Sequence, residues 1–96
     1  MIIVIVEFDI APVNQPSALK VFAQDENAAR GMAGCEAFTV AQVAGSETGM
    51  ILVEEWASMG DFESYKASAG FARVGKALGQ MMLSAPRSRT FEASIA

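Results

Sequence analysis

The sequence has 96 residues, of which 52% are hydrophobic and 19% charged, and its formal net charge at pH 7 is −4. A chain of this length has room for one hydrophobic core and no second domain, and its apolar excess suggests burial of further surface in a subunit interface. The seven Lys and Arg are scattered from Lys20 to Arg89, which argues against a nucleic-acid partner, and the acidic balance disfavours an anionic membrane.

The longest apolar run, Met1 to Val6, is far shorter than the roughly 20 residues that cross a bilayer. It also lacks the basic segment and cleavage site of a signal peptide, so it is interpreted as a strand. Cys35 has no second cysteine to pair with, which fits a reducing compartment and a structural thiol. We therefore expect a cytoplasmic protein.

The first predicted strand runs from Ile2 to Ile10, where β-branched and aromatic residues are enriched. Its two faces differ, because side chains alternate along a strand. The wholly apolar face carries Ile2, Val4, Val6, Phe8 and Ile10, and the other carries Ile3, Ile5, Glu7 and Asp9.

A first helix is predicted from Pro16, which suits the first turn, to about Arg30, with Gly31 as its stop. Glu26 and Arg30 are spaced for an ion pair at the rim of its apolar face. That face is predicted to contain Ala18, Leu19, Phe22, Ala29 and Ala33.

The second and third strands are predicted over Cys35 to Val43 and Met50 to Trp56, with Gly34 before the first of them. A polar turn containing Gly45 and Gly49 separates them, so they should form an antiparallel hairpin.

Ser58 is the predicted N-cap of a second helix, which is weakened at Ser68-Ala69-Gly70 and ended by Pro86. A fourth strand is predicted over Arg87 to Ile95. The helix begins with Asp61, Phe62 and Tyr65 and resumes with Phe71, Val74, Leu78, Met81 and Met82 on one face.

The order β-α-β-β-α-β predicts an α+β, ferredoxin-like fold, in which an antiparallel four-stranded sheet carries both helices on one face. The opposite face would be bare and largely apolar, which a soluble monomer does not tolerate. We therefore expect a homodimer through the open sheet face, as in a dimeric α+β barrel.

Three stretches carry a resemblance to a known family: Gly34-Cys35-Glu36-Ala37-Phe38, Leu52-Val53-Glu54-Glu55-Trp56, and Asp61-Phe62-Glu63-Ser64-Tyr65 with Ala67-Ser68-Ala69-Gly70-Phe71. With them, nearly the whole chain resembles the antibiotic biosynthesis monooxygenase-like family. The resemblance implies a homodimer with a cavity between helices and sheet in each subunit. It further implies that some members oxygenate phenolic or quinol substrates without metal or flavin, that others degrade haem, and that many have no known activity.

The chain departs from its relatives in having no His. Tyr65 stands where many relatives carry a His in the second helix, and the haem-ligating position of other relatives falls near Gly75. These departures argue against haem ligation of that type. They also remove the side chain most often used to move protons near neutral pH.

The predicted catalytic residues are Trp56, Tyr65 and Glu54. The Trp56 ring could stack on a flat substrate, as the resemblance implies, or simply anchor the core. Tyr65 could hold a substrate oxygen, or lie at the rim with its hydroxyl in water. Glu54 shares a strand face with Leu52 and Trp56, where burial would raise its pKa, or it could lie at a strand end and reach solvent.

The predicted substrate-binding walls are aromatic and aliphatic, and no metal-ligand cluster or nucleotide-binding glycine pattern is visible. Two functions stay open. One is a monooxygenase without metal or flavin that oxidises a flat phenolic or quinol-like molecule; the other is a non-catalytic dimeric module that binds a small ligand or serves in assembly. The predicted wall residues are Phe22, Leu52, Phe62, Phe71 and Met82.

Overall fold

The computed structural model describes residues 1–96. The fold is α+β and ferredoxin-like with four antiparallel strands, as predicted, but it has three α-helices where two were expected. A 3-10 turn at Pro12–Asn14 leads into the first helix. The elements are β1 (Ile2–Asp9), α1 (Gln15–Arg30), β2 (Cys35–Gln42), β3 (Gly49–Trp56), α2 (Met59–Lys66), α3 (Ala69–Gly79) and β4 (Arg87–Glu92).

The sheet has the strand order β2-β3-β1-β4, and every neighbouring pair is antiparallel. In the β1–β3 register Val4 lies opposite Glu54, and in the β1–β4 register it lies opposite Thr90. Since directly opposed residues share a face, Glu54 lies on the buried apolar face of β1.

The helices cover this one face of the sheet and build the core with it. The Phe8 ring of β1 lies 5.4 Å from the Phe22 ring of α1, measured between centroids. At the other end of these strands, the Trp56 ring of β3 lies 6.3 Å from the Phe62 ring of α2, again measured between centroids. Both ring contacts lie on the same face of the sheet, so the core is a single layer between the sheet and the helices.

The predicted second helix is in fact two helices, α2 and α3. Ser68 separates them and is the N-cap of α3, because its hydroxyl oxygen accepts a hydrogen bond from the Phe71 amide at 3.2 Å. The same hydroxyl donates to the Tyr65 carbonyl at 2.6 Å, which closes the end of α2. Ser58 caps α2 as predicted, accepting from the Asp61 amide at 3.2 Å.

Several predicted boundaries and faces need correction. The strand β4 ends at Glu92 rather than Ile95, and β2 ends one residue before Val43. Leu19 is 40% exposed, because it lies one residue, or about 100°, away from Ala18 on the helix surface. Ala33 lies beyond the end of α1. The residues of α1 that are buried are Gln15, Ala18, Phe22, Asp25 and Ala29.

The opposite sheet face has no helix against it. Apolar side chains cover its centre: Ile3 and Ile5 of β1, and Ile51 and Val53 of β3, are only partly buried. At one end of the same face the β4 arginines pair with the β1 acids, with N–O distances of 3.6 to 3.7 Å. No helix of the structure combines the length and apolar character that crossing a membrane requires.

Candidate active-site cavity

A cavity of about 250 Å³ lies between the helices and the covered face of the sheet. Its wall includes Lys66 and Phe71, which are exposed, so the cavity reaches the protein surface beside α2 and α3. The predicted wall residues are all present in it: Phe22, Leu52, Phe62, Phe71 and Met82. Only a few polar side chains interrupt this apolar lining.

Glu54 is one of these polar groups, and it is buried, with 3% of its surface exposed. The alternation along β3 places it between Leu52 and Trp56 on the covered face. Its Oε1 accepts a hydrogen bond from the Trp56 indole Nε1–H at 3.1 Å. The interpretation of Glu54 as a solvated strand-end residue is therefore wrong.

Burial raises the pKa of Glu54 from its ordinary value of 4.5 to about 7. The hydrogen bond from Trp56 lowers this pKa and the nearby negative charge of Asp25 raises it, and the value of about 7 includes both effects. Near neutral pH the carboxyl is therefore divided between its acid and base forms, which is the condition that favours proton transfer at that pH.

Asp25 is a second buried carboxylate in the cavity wall, with 4% of its surface exposed. Sequence reasoning missed it, although its spacing carried a signal. Asp25 follows Ala18 and Phe22 by seven and three residues, which puts it in phase with the apolar stripe of α1. Burial raises its pKa, whereas a hydrogen bond from Tyr65 and the positive charge of Arg73 lower it.

Tyr65 joins the two helical walls, because its hydroxyl donates to Asp25 Oδ2 at 2.6 Å. Its side chain is buried, so the interpretation as a rim residue with a wet hydroxyl is wrong. Burial, followed by the hydrogen bond to Asp25 and the nearby negative charges, raises the pKa of Tyr65 well above its usual range. Tyr65 is therefore a neutral hydrogen-bond donor at physiological pH.

Trp56 has no exposed surface and is not part of the cavity wall. Its ring instead stacks on the Tyr65 ring, with centroids 5.1 Å apart and planes inclined by 26°. This placement contradicts the expectation that Trp56 stacks directly on a substrate. The indole lies behind the wall, where it supports Tyr65 and holds the Glu54 carboxylate.

A smaller cavity of about 150 Å³ lies between α1 and α3, and it shares Asp25 with the main cavity. Arg73 of α3 lines it. Gly75 lies in the main cavity wall and offers no side chain to a haem iron. No group of three or more His, Cys, Asp or Glu is arranged to hold a metal ion.

Two other predicted groups lie away from the cavity. Arg30 Nε and Glu26 Oε1 form the predicted ion pair at 2.9 Å, on the exposed side of α1. Cys35 is half-buried, and burial raises the pKa of its thiol. It therefore stays protonated at neutral pH, which agrees with a structural thiol.

The family model of antibiotic biosynthesis monooxygenases matches residues 1–77 of the chain. A solved structure from Caulobacter crescentus, described as a candidate antibiotic biosynthesis monooxygenase, has a TM-score of 0.92 at 22% identity, covering 98% of this chain and 90% of that one. A similar candidate from Deinococcus radiodurans has a TM-score of 0.91 at 18% identity, covering 100% and 95% of the two chains.

A conserved protein from Methanosarcina mazei has the same fold, with a TM-score of 0.92 at 15% identity over 97% of this chain and 92% of that one. The TM-scores establish a shared fold, and at such low identities they show the fold alone. No curated protein matches the sequence. Because the family model covers most of the chain, the protein belongs to the antibiotic biosynthesis monooxygenase family.

Proposed function

We propose that this protein is a monooxygenase that uses molecular oxygen to oxidise a flat phenolic or quinol-like molecule, with neither metal nor flavin. The observation that carries the proposal is the Glu54 carboxylate, buried in an apolar cavity with a pKa of about 7. Oxidation by oxygen alone requires an electron-rich anion, and a phenol becomes one by losing its hydroxyl proton. A base inside an apolar cavity supplies that step.

The size of the cavity limits the substrate. A cavity of about 150 Å³ accommodates benzene, whereas pockets for drug-sized ligands begin near 300 Å³. At about 250 Å³, the cavity suits an aromatic molecule of two fused rings. The Phe22 and Phe62 rings in the wall favour a flat ligand.

The chemistry begins when Glu54 takes the phenolic proton, so that the O–H bond breaks and a phenolate forms. The phenolate gives one electron to O₂, and the resulting radical and superoxide recombine to form a carbon–oxygen bond. The peroxide takes one proton and then loses the ring hydrogen as a proton and hydroxide as the leaving group, which gives a quinone and water. One oxygen atom enters the product and the other leaves as water, so no external reductant is needed.

The residues around Glu54 would position the reacting groups rather than react themselves. The Trp56 N–H orients the Glu54 carboxylate, and the pair formed by Tyr65 and Asp25 fixes the opposite wall. Burial keeps the Glu54 pKa high, and the negative charge of Asp25 adds to this effect. The apolar lining excludes water, which strengthens the electrostatic interactions within the cavity.

We further propose that two chains pair through the open sheet face to form a homodimer. The central residues Ile3, Ile5, Ile51 and Val53 give this face a large apolar area without any covering element. At its end, Arg87 lies within 3.7 Å of both Glu7 and Asp9. An apolar centre with a charged border is typical of a protein interface.

Oxygen uptake by the purified protein tests the proposed activity. Hydroquinones and naphthols are supplied as substrates, and the rate of autoxidation without protein is subtracted. We expect oxygen uptake that saturates with substrate concentration. Glu54→Gln should lower kcat at least 100-fold, because general base catalysis contributes about 10²–10⁴-fold. Glu63→Gln, on the exposed side of α2, is the matched control and should keep full activity. Equal activity in both variants would contradict the role of Glu54.

A non-catalytic ligand-binding module is the second candidate. The observation that favours it is that the Trp56 N–H and the Tyr65 hydroxyl both donate to side chains of the protein itself. Trp56 donates to Glu54, and Tyr65 donates to Asp25. Neither donor is then free to stabilise an oxyanion. Saturable binding of naphthols without any oxygen uptake would support this candidate against the monooxygenase.

A further inference from the structure

The charged groups of the main cavity differ in depth. Asp25 and Glu54 are 4% and 3% exposed, whereas Lys66 is exposed to solvent at the surface end of the wall. Lys66 is the only cationic residue in the lining. A ligand in this cavity therefore meets carboxylates at its inner end and an ammonium group at its outer end.

The Lys66 ammonium has no acidic partner. It takes part in none of the four ion pairs, which join Arg30, Arg87 and Arg89 to acids elsewhere. Its Nζ instead lies 4.5 Å from the centroid of the Phe62 ring, another wall residue. This cation–π contact holds the charge beside the cavity entrance. The charge is thus held in place and available to a ligand.

We infer that the substrate is an aromatic hydroxy acid, whose hydroxyl points inward to Glu54 and whose carboxylate lies at the entrance beside Lys66. The inference rests on the proposed function and names its substrate class. A free carboxylate is ionised near neutral pH, because its pKa is about 4. The protein carries a net charge of −4, so a local cation is needed to bind an anion at this point.

Lys66 also lies in the last turn of α2, where a basic residue stabilises the helix dipole. Lys76 occupies the corresponding place in the last turn of α3 but does not line the cavity. Both lysines can stabilise the end of a helix, but only Lys66 can also contact a ligand in the cavity. Lys76 provides the matched control for any change made at Lys66.

The test compares 6-hydroxy-2-naphthoate with its neutral methyl ester and with 2-naphthol, by calorimetry without oxygen at pH 7 and low salt. In the wild type the acid should bind about three- to tenfold more tightly than the ester, and added salt should reduce the difference. Lys66→Met should abolish the preference, because it keeps an aliphatic side chain without the charge. Lys66→Arg and Lys76→Met should retain it.

Equal binding of acid and ester by the wild type would overturn the inference, as would an unchanged preference in Lys66→Met. Either result would leave the proposed oxidation intact if naphthols still support oxygen uptake. Conversely, a Lys66-dependent preference without oxygen uptake would support the ligand class and contradict the monooxygenase. Absence of binding by all three ligands would overturn both.

Discussion

The buried Glu54 carboxylate should make the stability of this protein depend on pH. Its pKa is 4.5 in an unstructured chain and about 7 in the folded protein. The folded state therefore binds more protons than the unfolded state between these two values. Stability from this group is complete below pH 4.5, falls as pH rises, and reaches its lowest value above pH 7.

The magnitude follows from the same two values. A difference of one pKa unit corresponds to about 1.4 kcal/mol, so the rise from 4.5 to about 7 costs roughly 3 kcal/mol once Glu54 ionises in both states. A small domain has a total stability of about 5–15 kcal/mol. The loss is therefore a large fraction of the stability of the chain.

The Glu54→Gln variant isolates this contribution, because the amide cannot ionise and its oxygen can still accept from Trp56. Urea unfolding, measured from pH 4.5 to pH 8, should show the wild type losing roughly 3 kcal/mol more than the variant. The new buried N–H₂ group would lower the stability of the variant by an amount that is independent of pH. The quantity to compare is therefore how steeply the free energy of unfolding falls with pH in the wild type and in the variant.

Glu63→Gln, at an exposed site on α2, is the control and should follow the wild-type pH dependence. Asp25 contributes in the same direction, since its pKa is also raised, but it is present in all three proteins. Parallel curves for wild type and Glu54→Gln would refute the argument that burial raises the pKa of Glu54 to about 7.

Three further predictions concern stability and assembly. Tyr65→Phe removes the hydroxyl that donates to the α1 carboxylate and should lower the free energy of unfolding by about 1–3 kcal/mol, measured with urea; an unchanged midpoint would contradict that bond. Gly34→Ala should cost at least about 1 kcal/mol, because φ is +82° and an added Cβ would overlap the Asp61 side chain, so wild-type stability would contradict this geometry. Ile5→Asp should convert the proposed dimer to monomer in light scattering, while Val13→Asp, at a site that is 83% exposed, should not; a dimer in both would place the interface elsewhere.

The strands and the first helix could be predicted because their signals are local. Alternation along β1 and β3, and the proline and glycine at the ends of α1, depend only on neighbouring residues. The break at Ser68 shows the limit of such signals. A serine followed by Ala69 and Gly70 fits both a weakened helix and a new N-cap. In the structure the Ser68 hydroxyl caps α3, and the Tyr65 and Phe71 rings on the two sides of the break lie 5.2 Å apart between centroids.

The site, like the fold, has some features that local sequence signals indicate and others that only packing decides. The sequence alone placed Glu54 in phase with Leu52, but it left open whether the carboxyl is buried or reaches solvent, and only the packed structure shows the burial that raises its pKa. The bond between Tyr65 and Asp25 joins residues 40 positions apart, so it depends on how α1 and α2 rotate over the sheet. Packing also placed Trp56 behind the wall rather than in it. Periodicity determines which face a side chain occupies, whereas its partner across the core is decided only when the elements pack together.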